Sequence, residues 1–132
     1  MKFYDFGQIK NQRAMMAQHI SVLQTLKMEP FAVTVHDIIE EDARVGILTS
    51  KLGDFSLQDY VNGMNNSICS IELVRGIISK LTKFVARLHE CGIIHRSLNL
   101  SAIGMANSTK SPGVVKVTKL GNFELACHIR NV

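Results

Sequence analysis

The longest periodic run of the chain, residues 70–90, constrains the fold more than any other feature. Apolar side chains recur there every three or four positions, the period of one helix face, and basic side chains occupy the other side. Ser70 is a suitable N-cap and Gly92 a suitable C-terminal glycine. The apolar positions are Leu73, Val74, Ile77, Ile78, Leu81, Phe84, Val85 and Leu88. The pattern predicts an amphipathic helix whose apolar face needs a core to cover it.

Shorter patterns around this helix predict a mixed α+β chain. Asn11 is a suitable N-cap for a helix over residues 11–27, Pro30 prevents its continuation, and Ser56 can cap a short helix over residues 56–61. The predicted strands are 1–6, which Gly7 ends, then 33–36, 45–49, 102–105 and 114–119. Residues typical of turns fill the intervals 40–43, 62–67 and 106–113.

Composition limits the classes of function. The 132 residues are 46% hydrophobic, enough for one domain with its own core, and carry a net charge of +4. The 15 Lys and Arg residues are scattered, so nucleic-acid binding is not implied. The three cysteines lack the spacing of a metal site or a disulfide framework. The cysteine pattern favours a reduced setting, so we expect a cytoplasmic protein. No apolar run of about 18 residues predicts a membrane span, and the beginning does not read as a signal peptide. No cofactor is expected.

Two short motifs follow the long helix in an informative order. His95-Arg96-Ser97 comes after a short apolar run, and Ala102 follows on a polar turn. A strand, a polar loop and a second strand then lead to Asn122-Phe123-Glu124. Each motif alone carries little information, whereas the succession of helix, motif, hairpin and second motif is distinctive.

This succession resembles the catalytic and magnesium-binding loops of protein kinases, which carry H-R-D-x-x-x-x-N and, one hairpin later, D-F-G. By the resemblance, Ser97 and Ala102 stand where the catalytic Asp and the metal-binding Asn belong, and Asn122 replaces the metal-binding Asp. The implied architecture is a partial protein kinase-like fold of the α+β class. It would comprise a remnant of the small-lobe sheet with its helix, plus the first helices and the catalytic-loop hairpin of the large lobe.

The substituted residues cannot perform the chemistry of the motifs. Ser97 carries no charge with which to accept the substrate hydroxyl proton, and Ala102 offers no oxygen to a metal ion. Asn122 is neutral, whereas Mg²⁺ is bound through carboxylates and phosphates. A general base contributes on the order of 10²–10⁴ in rate, so joint loss of base and metal ligands predicts a pseudokinase rather than an enzyme.

The resemblance also implies a vestigial nucleotide site. Lys2 would be the phosphate-binding lysine, and His19 stands in place of the glutamate that pairs with it. Thr49 falls at the gatekeeper position, and Ser50 and Leu52 fall on the hinge segment, residues 50–52, whose backbone would meet an adenine. Gly104 replaces a large apolar residue on the adenine side, which predicts poor ATP binding. A stacked apolar column of Leu23, Val35, His95 and Phe123 is implied as well.

The stretch K-L-G-N-F-E-L-A, preceded by S-L-N-L-S-A-I, is similar to the SCY-like pseudokinases, in which HEAT repeats follow a kinase-like domain. That resemblance implies a scaffold that binds protein partners in coated-vesicle trafficking or tRNA handling. It divides a truncated domain, 1–132, into a small-lobe remnant with hinge, 1–52, and a partial large lobe, 53–132. Because further lobe helices would follow Val132, we expect a fragment with a partly exposed helix face. The affected residues would be Ile77, Ile78, Leu81 and Phe84.

Three alternatives remain open at this point. The chain could be a divergent, weakly active kinase that uses Lys2 and, as a displaced metal ligand, Glu124, although the latter is expected to point away from the site. It could be a metal-independent nucleotide sensor with adenine at residues 49–52. It could also be an unrelated α+β domain in which His95 is an ordinary core histidine.

Overall fold

The structure, a computed structural model, describes residues 2–5, 10–41, 44–64 and 68–131. It is α+β, as the sequence predicts. The helices are α1 (Lys10–Thr25), α2 (Leu57–Asn62) and α3 (Ile71–Glu90). The strands are β1 (Lys2–Asp5), β2 (Val35–Glu41), β3 (Arg44–Thr49), β4 (Phe55–Ser56), β5 (Ile93–Ile94), β6 (Ile103–Asn107), β7 (Val115–Leu120) and β8 (Cys127–His128).

Side-chain caps fix the beginnings of α2 and α3. The Ser70 hydroxyl accepts a hydrogen bond from the Leu73 N–H (3.2 Å), and Gly92 has the positive φ of a C-terminal glycine. Ser56 accepts from the Asp59 N–H (3.1 Å), while the Asp59 carboxylate accepts from the Ser56 N–H (2.9 Å). Both caps were predicted, because N-cap chemistry is local in sequence.

Antiparallel pairing joins the strands into separate sheets. The first sheet has the order β1-β3-β2, and the second has the order β4-β6-β7. A short pair, β5 and β8, brings the segment after the second motif back beside the first. The predicted hairpin of β6 and β7 is therefore confirmed, with strands that each end one or two residues later than expected.

The prediction for β2 was wrong in its bounds. The expected strand, 33–36, begins only at Val35 and then continues through Glu40 and Glu41, which had been assigned to a turn. The cause is a second partner, because Ala32 forms a parallel bridge to Leu120 instead of joining the first sheet. The remaining turn residues, 42–43, lie outside the described residues.

The ends of α1 also differ from the prediction. The helix begins at Lys10, so Asn11 is not its N-cap, and it ends at Thr25 rather than at residue 27. The Thr25 hydroxyl donates to the Ser21 carbonyl (3.0 Å), and the Lys27 N–H bonds the Gln24 carbonyl (3.3 Å), as in a tightened last turn. Gly7, which was expected to end the first strand, and residues 65–67 of the predicted loop lie outside the described part of the chain.

The segment between α1 and β2 ties the first sheet to the second. The Leu120 N–H donates to the Phe31 carbonyl (2.7 Å), and the Val33 N–H donates to the Leu120 carbonyl (3.0 Å). Phe31 also packs against Phe84 of α3, with ring centroids 5.6 Å apart. These contacts make one continuous core on both sides of residue 52.

A salt bridge reinforces the same junction. Arg87 of α3 donates two hydrogen bonds to the Glu29 carboxylate (2.8 and 3.1 Å) and a third to Glu90 (3.0 Å). The Arg87 guanidinium lowers the pKa of Glu29, mainly through these hydrogen bonds. The paired fork geometry sets the direction in which the chain leaves α1.

The expected exposure of α3 is correct only in part. Ile78 is 55% exposed and Leu81 is half-buried, whereas Ile77 and Phe84 are buried by β7 and Phe31. Ile71 and Val74, which precede them on the helix, are exposed as well. Among the described residues, no helix has the length and apolar character that a membrane crossing requires.

Candidate functional site

A small cavity of about 160 Å³ gathers most of the residues that the sequence singles out. It lies where α1, β3, the hinge segment and the second motif meet. The lining residues are His19, Leu23, Val33, Ile47, Thr49, Ser50, Leu52, Gly121, Asn122, Phe123 and Glu124. The predicted positions in α1, the hinge and the second motif therefore converge in space.

Leu52 fills the side of this site next to Gly104 and Gly121. A Cβ placed on Gly104 would collide with the Leu52 carbonyl and would lie 2.8 Å from its Cγ. A Cβ on Gly121 would lie 3.0 Å from a Leu52 methyl carbon. The hinge leucine thus occupies the space beside Gly104 where the resemblance implies a larger side chain.

Hydrogen bonds hold the hinge in this position. The Leu52 carbonyl accepts from the Thr118 hydroxyl (2.9 Å), and the Asp54 N–H donates to the Met105 carbonyl (2.8 Å). A Cβ on Gly53 would lie only 2.5 Å from that same carbonyl oxygen, so a residue without a side chain is needed there. The chain is consequently bonded to the hairpin on both sides of Gly53.

Ser50 anchors the other end of the hinge segment. Its hydroxyl accepts from the Thr34 N–H (2.9 Å) and from the Lys119 ammonium (3.2 Å), while its own N–H donates to the Thr34 carbonyl (2.7 Å). Thr49, the predicted gatekeeper, is half-buried at the end of β3. The Ser50 hydroxyl, the Ser50 N–H and the Leu52 carbonyl therefore already have partners within the chain.

A neutral polar network links the two motifs. The Asn122 amide donates to the Ser101 hydroxyl (3.1 Å), which in turn donates to the Asn99 side-chain oxygen (2.6 Å). That oxygen also accepts from the Ala102 N–H (3.2 Å) and so caps the 3₁₀ helix Leu100–Ala102. The Asn99 amide donates to the Ser97 carbonyl (3.2 Å). No member of this network bears a formal charge.

Asn99 and Ser101 are functional-site neighbours that the sequence analysis missed. An Asn three positions before a buried Ala, next to Ser and Leu, is a recognisable N-cap signal. Ala102 itself is buried and accepts a hydrogen bond from the Gly121 N–H through its carbonyl (2.8 Å). Within the described residues, no group of three His, Cys, Asp or Glu side chains is arranged to hold a metal ion.

His95 has the core position that the resemblance implies. It is buried, its ring centroid lies 5.0 Å from that of Phe123, and its Nε2 is 2.8 Å from the Gly121 carbonyl oxygen. The Ser97 N–H donates to Nδ1 (3.3 Å), so Nε2 carries the proton of a neutral ring. Leu23 and Phe123 line one cavity, whereas Val35 is half-buried, packs against the core and is not part of that lining.

Two residues of these motifs have left-handed backbone. Arg96 has φ +61° and Asn122 has φ +57°, values that are uncommon for residues other than glycine. The Arg96 guanidinium donates to the Leu125 carbonyl (2.6 Å), which bonds the first motif to the turn after the second. Such backbone persists where surrounding contacts specify it, and both residues have such contacts.

Lys2 and His19 lie on two different elements, β1 and α1. Lys2 pairs with Ile47 in the register of β1 and β3, and Ile47 lines the cavity. His19 is buried in α1 and lines the same cavity. The lysine–glutamate ion pair of protein kinases therefore has no acidic member at this position, because a histidine stands there.

Glu124 departs from expectation. It was expected to point away from the site, but it lines the cavity together with Asn122. Its negative charge opposes the lowering of the His95 pKa. Glu124 is the sole carboxylate among the residues that line the cavity and that the structure describes.

Comparison with known proteins gives one distant similarity and no family assignment. No protein-family model matches the chain. The chain is similar to the probable serine/threonine-protein kinase fnkE of Dictyostelium discoideum, at 23% identity over 108 residues. The match covers 80% of this chain but 8% of that protein. The similarity supports a distant kinase-like relationship, and the α+β architecture is compatible with a partial kinase-like fold.

Gly104→Ala should destabilise the protein, because the new methyl group collides with the Leu52 backbone. We expect a loss of about 1–3 kcal/mol in the free energy of unfolding, as for other overpacked sites. The matched control is Gly76→Ala on α3, where a Cβ meets nothing within 4 Å. That change should stabilise by roughly 0.5–1 kcal/mol through helix propensity. Urea unfolding followed by circular dichroism measures both, and equal effects would refute the contact.

His95 should make stability depend on pH in a defined window. Burial lowers its pKa below the ordinary value of 6.5, opposed by its hydrogen bond to Gly121. The unfolded chain therefore binds the proton more readily, so stability is complete above about pH 7 and falls as the pH drops through 6.5.

The corresponding experiment compares urea midpoints from pH 5 to pH 7.5 in the wild type, His95→Gln and His36→Gln. His36 is exposed on β2 and serves as the control. The carboxylates with lowered pKa values, Glu29 and Asp59, act only at more acidic pH. His95→Gln should flatten the profile and His36→Gln should not. An unchanged slope in His95→Gln would contradict the assignment.

Proposed function

We propose that this chain is a catalytically inactive, kinase-like module that works by binding a protein partner and takes no nucleotide. The observation that carries the proposal is the position of Leu52. Its backbone and side chain fill the space beside Gly104 and Gly121, on the side of the cavity where an adenine would enter. The residues that replace the catalytic and metal-binding ones, Ser97, Ala102 and Asn122, support the same conclusion.

The volume of the site favours this proposal. The cavity measures about 160 Å³. Pockets for small molecules and cofactors usually measure about 300–1,000 Å³. Enlarging it would require the hinge to leave the hairpin, which breaks the hydrogen bonds at Leu52 and Asp54. Each such bond contributes roughly 0.5–1.5 kcal/mol net.

Its electrostatics favour the proposal as well. A nucleotide triphosphate with its metal ions needs several charged partners. The described cavity lining offers one carboxylate, Glu124, while the position that would hold magnesium is a neutral amide bonded to Ser101. A metal-bound phosphate would therefore meet little compensating charge.

Restoring the lost residues separates two explanations of inactivity, namely the substitutions in the two motifs and the filling of the site by Leu52. The triple variant Ser97→Asp, Ala102→Asn, Asn122→Asp regains the side chains of the motifs but keeps Leu52 in place. We expect neither wild type nor triple variant to bind ATP in isothermal titration calorimetry, with magnesium or with EDTA. Phosphate transfer to a generic substrate should stay at background in both.

The control for this experiment is the same triple variant with Leu52→Ala, which enlarges the cavity. Circular dichroism and unfolding midpoints must first show that each variant is folded. Micromolar ATP binding by the wild type would overturn the proposal and favour the nucleotide-sensor alternative. Binding by the triple variant alone would show that Leu52 does not close the site.

A second candidate is a weakly active kinase, which the placement of Glu124 favours. Its carboxylate lines the cavity beside Asn122 and is the group best placed to hold a metal ion. If it does so, a radiolabelled transfer assay should detect activity that Glu124→Gln abolishes and Glu90→Gln leaves intact. Absence of any transfer above background would exclude this candidate.

The finer parts of the proposal have three separate grounds. The truncated domain over 1–132, divided at residue 52, rests on the resemblance to protein kinases, and the cytoplasmic location rests on the cysteine pattern. The scaffold role in vesicle trafficking rests on the resemblance to SCY-like pseudokinases, which the string from Lys119 to Ala126 supports. Co-localisation of the tagged chain with coated-vesicle markers would test the trafficking role, and a diffuse distribution would count against it.

A further inference from the structure

A second concave surface, separate from the cavity at the hinge, lies between α3 and β7. This groove measures about 740 Å³ and is bounded by α2 at one end. Its lining residues are Tyr60, Met64, Ile68, Ser70, Glu72, Leu73, Gly76, Ile77, Lys80 and the run 113–117. The volume is within the range of binding sites, and the floor is mainly apolar.

The walls of this groove are well defined by their contacts. Tyr60 stacks on Phe55 with ring centroids 6.1 Å apart, which fixes the α2 end. Ile77 is buried against the core and forms part of the floor, and Val117 of β7 is buried opposite it. The absence of a side chain at Gly76 leaves the α3 wall open, because a Cβ there would meet nothing within 4 Å.

The rim combines exposed apolar surface with positive charge. Ile68 is 94% exposed and Val114 is 50% exposed, an unfavourable arrangement for large apolar side chains that stay in water. Lys80 lies on the α3 wall and Lys116 on the β7 wall. The Lys80 ammonium also lies 5.2 Å from the centroid of the Phe84 ring. Glu72 is the one acidic residue of the described lining.

We propose that this groove binds an extended or helical protein segment that presents apolar side chains flanked by Asp or Glu. Apolar side chains would contact the floor at Leu73 and Ile77, and carboxylates would pair with Lys80 and Lys116. A lysine on each wall selects acidic residues on both sides of the segment. A symmetric contact between the grooves of two copies is disfavoured, because it would bring lysines of like charge together.

This inference rests on the proposed function, since it names the class of partner that a binding module of this kind would take. The test of the groove nevertheless contains no nucleotide. If no peptide binds the groove, the ATP-binding results still stand, and if ATP binds, the peptide results still stand. The two proposals can therefore be refuted independently.

The experiment is a selection from a random 16-residue displayed peptide library on the immobilised full chain. Wild type should enrich peptides in which Leu, Ile or Phe stands beside Asp or Glu. The double variant Lys80→Glu, Lys116→Glu should lose these peptides and enrich basic ones instead. The matched control, Lys83→Glu with Lys110→Glu, changes the net charge equally but substitutes no residue of the lining.

Fluorescence anisotropy with the most enriched peptide then gives affinities. Charge reversal at the two rim lysines should weaken binding by about 5- to 30-fold, with a smaller effect at high salt. Ile68→Ser, a change at a nearly fully exposed residue, should weaken it as well without affecting folding. Enrichment of peptides without acidic residues, equal enrichment on the double variant, or no enrichment on wild type would each overturn the proposal.

Discussion

The paired hydrogen bonds at Leu120 are the interaction on which the rest of this structure depends. Leu120 is fully buried, and its N–H and carbonyl meet Phe31 and Val33, respectively. Leaving these backbone groups unpaired in the interior would cost about 1–3 kcal/mol each. Because the contact joins the segment after α1 to the end of β7, it places the first sheet over the hairpin. The small cavity exists only because these two parts are held at this separation.

The distance between the first sheet and the hairpin explains why the candidate site has little free volume. The hinge must pass from β3 to β4 across the hairpin, and it does so in direct contact with Gly104 and Gly121. Hydrogen bonds hold this segment at both ends, through Ser50 at one end and Thr118 at the other. The site consequently has a cavity of only about 160 Å³, with one carboxylate in its described lining.

Local patterns predicted the helices and the hairpin well. The 3.6-residue period of α3, the caps at Ser56 and Ser70, and the alternation in β7 depend on neighbours in sequence. The bounds of β2 failed because Ala32 takes a partner in β7, a contact that no local pattern encodes.

Prediction of the site from the sequence is limited in the same way. Most residues of the cavity lining were singled out, and Gly104 indicated that a large side chain is missing from the position that the resemblance places beside an adenine. The sequence alone did not indicate that Leu52 fills this volume, because two residues distant in sequence, Leu52 and Gly104, must first be brought together. Asn99 and Ser101 were missed because they cap a 3₁₀ helix and join a hydrogen-bond network. Comparing the motif residues with those of a kinase does not reveal such contacts. Glu124 was misplaced because the direction of a turn residue follows from the left-handed backbone at Asn122.

The contact between Leu52 and Gly104 also has an evolutionary consequence. A larger residue at Gly104 collides with Leu52, whereas a smaller residue at the half-buried Leu52 leaves a void, and large-to-small changes at fully buried positions cost about 2–5 kcal/mol. A domain with a typical stability of about 5–15 kcal/mol tolerates few such steps. A wider site at this point would therefore require both positions to change nearly together. Each of the two residues consequently limits which substitutions the other can accept.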